Sequence, residues 1–201
     1  VVEYRLGYIE ESKRYSEVAL SGPLEEQAEA TNTLGHIERF RGNYIESSNY
    51  FKRAATLWRA VGEKTRWMGA LNNLGITQSY LNQESESTFR QLLDAVGDNL
   101  LERARVLLNL GMVFWNRKDF KNAELHYLSS TELSRQVGSA EIESRGWNNL
   151  GMMYQLSGND SKAEDAYRKA LALCQVTGDV EMRGLVLANF AELTEDYEGW
   201  E

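Results

Sequence analysis

The chain of 201 residues has little of three residue types that usually announce chemistry: one cysteine, one proline and two histidines. A single cysteine, Cys174, excludes an internal disulfide framework. Its setting in Ala170-Leu171-Ala172-Leu173-Cys174 reads as a small buried thiol, and a reducing, cytoplasmic location is the expectation. With Pro23 as the only proline, nothing interrupts long helices. No run of 18 apolar residues occurs, so no membrane-spanning helix is expected. Residues 1–14 are charged throughout and do not read as a secretion signal. Basic residues are not concentrated anywhere. With 22 Lys and Arg against 30 Asp and Glu, the net charge of -8 disfavours nucleic acid, whose binding needs clustered cations to replace phosphate counterions. A neutral or basic partner fits better.

Catalytic signatures are missing as well. The sequence holds no HExxH, no CxxC, no glycine-rich phosphate loop and no nucleophile elbow. His36 and His126 fall on different helices without companion ligands, so neither a metal nor another cofactor is expected. The pairs Glu10-Glu11 and Glu25-Glu26 are adjacent in sequence, and neighbours on a helix do not face each other. Asn159-Asp160-Ser161 matches a glycosylation acceptor by chance if the chain is not secreted. No enzyme is expected.

What is present is a repeat. Thr33-Leu34-Gly35, Asn73-Leu74-Gly75, Asn109-Leu110-Gly111 and Asn149-Leu150-Gly151 share one signature, with glycines 40, 36 and 40 residues apart. Asn189-Phe190-Ala191 continues it without glycine, 40 residues later. A second marker runs in phase: Val61-Gly62-Glu63, Val96-Gly97-Asp98, Val137-Gly138-Ser139 and Thr177-Gly178-Asp179. Two markers in register across the chain indicate tandem structural units.

Each unit reads as two helices. Trp147, Leu150, Gly151 and Tyr154 recur at i, i+3, i+4 and i+7, and Ala163, Tyr167 and Ala170 at i, i+4 and i+7. The second marker supplies a glycine to end one helix and Asp98, Ser139 or Asp179 to cap the next. Turns inside the hairpins fall at Arg41-Gly42-Asn43 and Ser157-Gly158-Asn159, with Asn116-Arg117-Lys118-Asp119 as a glycine-free version. A glycine inside the first helix costs about 1 kcal/mol against alanine. Close approach of an aromatic from the second helix (Phe51, Tyr127 or Tyr167) explains its presence.

This pattern resembles the tetratricopeptide repeat. The best copy is Trp147, Leu150, Gly151, Tyr154, Gly158, Ala163, Tyr167 and Ala170. Around Gly35 the family pattern is met by Leu34, Gly42, Tyr44, Phe51 and Ala54, and around Gly111 by Leu110, Phe114, Phe120, Ala123 and Tyr127. The resemblance implies an all-α fold of antiparallel helix hairpins stacked in a right-handed superhelix, an α-α solenoid. Its concave groove would bind a protein or peptide without catalysis. Two departures, a glycine joint in place of the closing proline and a period near 40, are similar to Leu-Gly-Asn repeat proteins, kinesin light chains and repeat domains of maltose-activator-type regulators. The last group implies an alternative role as a ligand- or peptide-sensing regulatory domain. Self-association is a third possibility. The two-lysine carboxylate clamp of chaperone-binding relatives is not reproduced.

A single array over 1–201 is expected, with a partial repeat at 1–23, repeats at about 24–62, 63–97, 98–138 and 139–178, and a terminal helix at 179–201. The second repeat is irregular: Gly75 and Gly97 are 22 residues apart, whereas Gly35–Gly62, Gly111–Gly138 and Gly151–Gly178 each span 27. Either the second helix is short near Leu81-Asn82-Gln83-Glu84-Ser85, or a loop is missing from the sequence. Aligning Tyr8 with Tyr44 puts Val1–Arg5 at the tail of a first helix whose beginning is absent, with the hairpin turn between it and Tyr8. Gly199-Trp200 reads as the turn opening another second helix, so a fragment of a longer array is expected.

The binding residues are read from one stripe of the first helices. Asn73, Asn109, Asn149 and Asn189 stand two residues before the signature glycine or its replacement. Asparagine is a mediocre helix former, and its amide both donates and accepts, which suits pairing with an extended peptide backbone. The same residues serve equally to bridge neighbouring helices. Sharing the stripe are His36, Tyr80, Ile76, Met112 and Met152, the last three forming an apolar strip, together with Arg105 and Arg145. Methionine adapts to varied ligands, and two arginines in equivalent places can grip a carboxylate. Each of these also has an ordinary role in packing or in local ion pairs.

Overall fold

The computed structural model describes residues 2–81 and 84–198, with side chains described for 9–81 and 84–193. Among the described residues there are ten α-helices and no strand. They are α1 Val2–Ala19, α2 Leu24–Phe40, α3 Tyr44–Val61, α4 Lys64–Tyr80, α5 Ser85–Val96, α6 Leu100–Asn116, α7 Phe120–Gln136, α8 Ala140–Leu156, α9 Asp160–Thr177 and α10 Val180–Glu198. They form two compact units, Val1–Ala95 and Val96–Glu201. Within the first, α1 packs on α2, α2 on α3 and α3 on α4; within the second, α6 pairs with α7 and α8 with α9, while α8 also touches α6 and α10.

The signature glycines hold each hairpin together. A Cβ on Gly35 would stand 2.8 Å from the Phe51 ring, and one on Gly151 2.5 Å from the Tyr167 ring. Gly75 meets Phe89 in the same way, at 2.8 Å, and Gly111 meets Tyr127. All four rings are fully buried or nearly so. Removing the Cβ lets a flat aromatic lie on helix backbone, and each such ring removes roughly 150–250 Å² from water. The second unit adds a cluster of Ala163, Tyr167, Ala170, Cys174, Met182, Val186 and Leu193. Cys174 is a buried thiol, and desolvation pushes its pKa up.

Helix ends follow local chemistry with two differences from expectation. α6 is capped by Asn99, whose side chain accepts from the Glu102 N–H at 3.2 Å, and Asp98 lies one residue too early. Asp179 does cap α10, accepting from Met182 N at 2.9 Å, whereas Ser139 occupies the cap of α8 without a side-chain bond. Asn159 and Asp119 cap α9 and α7. In the glycine-free hairpin turn, Lys118 takes the left-handed conformation at φ 60, the place held by Gly158 at φ 72 and Gly42 at φ 81.

The irregular repeat has a short second helix: α5 spans 12 residues where α3 and α9 span 18. Asn82 and Gln83 lie outside the described residues. No turn precedes Tyr8, because α1 runs unbroken from Val2 to Ala19. The reason is visible in the alignment, since Leu6 stands where Gly42 supplies the left-handed residue. Gly199-Trp200 lies outside the described residues.

A polar clasp joins α1 to the end of α2. Glu38, 5% exposed, accepts from Asn43 at 2.7 Å, Arg41 at 3.1 Å and Lys13 at 3.2 Å. Arg41 also pairs with Glu10. The Asn43 hydrogen bond, opposed in part by burial and aided by Lys13 and Arg41, holds the Glu38 carboxyl below its ordinary value. A buried charge needs this degree of pairing to be tolerated.

Candidate functional site

Four of the sequence-selected residues come together in the second unit. A hollow of about 600 Å³ is lined by Asn109 and Met112 of α6 and by Arg145 and Asn149 of α8, with Met182 and Leu185 of α10 on its far side. Its size lies in the range of pockets that bind ligands, roughly 300–1,000 Å³. The three contributing helices are the first helices of successive repeats. Placement follows from the repeat itself: the buried Leu110 and Leu150 point into the hairpins, which turns the residue before each, Asn109 and Asn149, toward the hollow, with Met112 beside Asn109.

The asparagines divide by partner. Asn189 donates to the Asn148 side-chain oxygen at 2.9 Å, tying α10 to α8. Asn73 stands 3.2 Å from His36 Nε2, tying α4 to α2 in the first unit. Asn109 also has an interaction of its own. Asn149 is half-buried, and among the described residues its amide makes no hydrogen bond. Two rungs of the ladder therefore bridge neighbouring helices, and Asn149 presents its amide to the hollow.

The remaining candidates separate similarly. Met152 packs against the Tyr167 cluster, with its sulfur 3.6 Å from the Asn148 amide nitrogen. Arg145 pairs with Glu141 at 3.2 Å and Arg105 stands 4.0 Å from Glu102, each within its own helix. Of the two, Arg145 lines the hollow. Both are about half exposed, where such pairs contribute little. In the first unit, the His36 ring meets Phe51 edge-on at 5.0 Å and lies 3.1 Å from Arg39. Burial first, then the Arg39 charge, lowers its pKa, so the imidazole is neutral at pH 7. Tyr80, 55% exposed, stacks on Tyr44 at 4.9 Å, and Ile76 is half-buried beside them in sequence.

Sequence reading missed Asn148 and Met182. Asn148 is 3% exposed and links α8 to α10 through Asn189. A signal was present, since Asn72-Asn73 and Asn148-Asn149 repeat as pairs at the same phase. Among the described residues, no group of three His, Cys, Asp or Glu side chains could hold a metal ion. The hollow offers amides, thioethers, aliphatic carbon, the Arg145 guanidinium and the carboxylates of Asp179 and Glu181.

Stacked hairpins with an aromatic seated on a helical glycine define a helical-repeat protein. The sequence matches the tetratricopeptide repeat over residues 102–175 and again over residues 27–61. The chain belongs to the tetratricopeptide repeat family. No curated protein matches its sequence. Its fold is similar to that of RapI in the apo form, at TM-score 0.71 and 18% identity, covering 92% of this chain and 72% of that one. It is also similar to BtubC (BKLC) from P. vanneervenii, at TM-score 0.66 and 13% identity, covering 100% and 94%. A third likeness is to pilF of Pseudomonas aeruginosa, at TM-score 0.56 and 18% identity, covering 84% and 77%. Repeats of this family generally mediate protein–protein interaction, and among the described residues no helix is long and apolar enough to cross a membrane.

Proposed function

We propose that this chain is a protein-binding module that seats an extended peptide in the hollow formed by α6, α8 and α10. The observation that carries the reading is the Asn149 amide, unpaired among the described residues and set beside Asn109 and Met112 in that hollow. An extended strand offers alternating N–H and C=O groups, and a side-chain amide pairs with both. Met112, Met182 and Leu185 supply an adaptable apolar wall for side chains of the bound segment.

The test is a peptide selected from a random display library against the folded chain. The double variant Asn109→Ala/Asn149→Ala should weaken its binding at least about tenfold while circular dichroism stays unchanged, since losing hydrogen bonds worth about 1 kcal/mol each costs that much together. Equal affinity in wild type and variant would sink the reading.

A further inference from the structure

We propose that the first unit carries a second docking site, chemically opposite to its host chain, that takes an acidic peptide segment. A hollow of about 580 Å³ lies among α3, α4 and α5. Among the described residues its charged lining consists of Lys52 and Arg59 alone, and no Asp or Glu borders it. That is unexpected in a chain with 30 acidic and 22 basic residues. Several cations of this chain meet carboxylates, Arg41, Arg66, Arg90, Arg135 and Arg168 among them. Among the described residues, neither Lys52 nor Arg59 does.

The two cations are seven residues apart on α3, hence on one face and about 10 Å apart along the axis. Arg59 lies over the Trp67 ring, its guanidinium carbon 5.5 Å from the centroid, which holds the fork at the rim of the hollow. Trp67, Leu71 and Leu74 make an apolar floor between the cations, and Gln91 adds an amide. Charge alone would suit any anion. A floor of indole and leucine beneath two cations suits a segment in which carboxylates alternate with apolar side chains. Such a segment satisfies the cations by charge-assisted hydrogen bonds and covers the indole at the same time.

The probe is acetyl-Glu-Leu-Glu-Leu-Glu-amide, followed by the Trp67 indole N–H resonance in a heteronuclear NMR titration of the full chain. The expected result is a saturable shift of Trp67 and of the Gln91 side chain. It should weaken as salt rises from about 0.05 to 0.5 M, because the charges are exposed enough to be screened. Lys52→Glu/Arg59→Glu should reduce affinity at least about tenfold. The milder pair Lys52→Gln/Arg59→Gln, free of the unfavourable acid at a helix C-terminus, should give the same direction. Three outcomes would overturn the proposal: a Gln-Leu-Gln-Leu-Gln peptide binding as well, shifts that persist in both variants, or displacement of the acidic peptide by an equimolar short oligonucleotide. The Asn109→Ala/Asn149→Ala variant should bind this probe normally, which keeps the result separate from the groove of the second unit.

Discussion

Gly151 and Tyr167 meet so closely that a Cβ on the glycine would stand 2.5 Å from a ring carbon. The contact joins α8 to α9, and it gives the repeat's glycine a steric reason. Gly151→Ala should therefore destabilise the protein by about 1–3 kcal/mol through overpacking, even though alanine is the better helix former by about 1 kcal/mol. Gly69, also inside a helix, has nothing within 4 Å of its Cβ position. Gly69→Ala should stabilise by up to about 1 kcal/mol. Urea denaturation of the two variants checks the opposite signs.

Tyr127 and Tyr167 occupy equivalent positions with different fates. Tyr167 donates to Gln155 at 2.8 Å, whereas among the described residues the buried Tyr127 hydroxyl has no partner, since Trp115 stands where Gln155 does in the next repeat. Burial alone raises the Tyr127 pKa, so the phenol stays protonated over the whole stability range. Tyr127→Phe removes an unsatisfied polar atom and should be neutral or stabilising. Tyr167→Phe should cost about 1 kcal/mol. A loss in Tyr127→Phe as large as in Tyr167→Phe would contradict this assignment.

Lys118 holds a left-handed backbone at φ 60. That conformation costs a residue with a Cβ about 1–2 kcal/mol, part of which glycine gives back through its greater freedom when unfolded. Lys118→Gly should raise the melting temperature by a few degrees, measured by calorimetry.

The Glu38 clasp predicts a pH dependence with a definite sign. Its pKa in the folded protein lies below the ordinary 4.5. The unfolded chain therefore binds the proton more readily, so the clasp contributes in full above about pH 4.5 and is lost as pH falls through the depressed folded value. Glu38→Gln should flatten the decline of stability below about pH 4.5 and lower stability at pH 7. Thermal melts from about pH 7 down to pH 3 on both proteins read this directly. An unchanged acid slope in the variant would mean that the clasp is not the group responsible.

Much of the fold was legible because the repeat states each element several times. Leu150-Gly151 with Tyr167 eight residues past the Asn159 cap identifies a hairpin once, and three further copies remove ambiguity about helix type and turn position. The missing αL glycine at Leu6 and the shift of the α6 cap to Asn99 were legible only in outline, since boundaries depend on single local bonds. At the candidate site, one-dimensional phase placed Asn109, Met112, Arg145 and Asn149 on one stripe, and the structure brings all four to one hollow. It could not tell which asparagines spend their amides on a neighbouring helix. Asn73 does so through His36 and Asn189 through Asn148, partners 37 and 41 residues away.

The sequence alone determined the hairpin unit, its period and the aromatic-on-glycine contact, because these rest on helical spacing and on the absence of a Cβ, both written locally. Tertiary structure decided which polar groups stay available. Hydrogen-bond satisfaction depends on what the next helix presents, and so Asn149 differs from Asn189, and Lys52 and Arg59 from cations such as Arg66 that meet a carboxylate, only once the chain has folded.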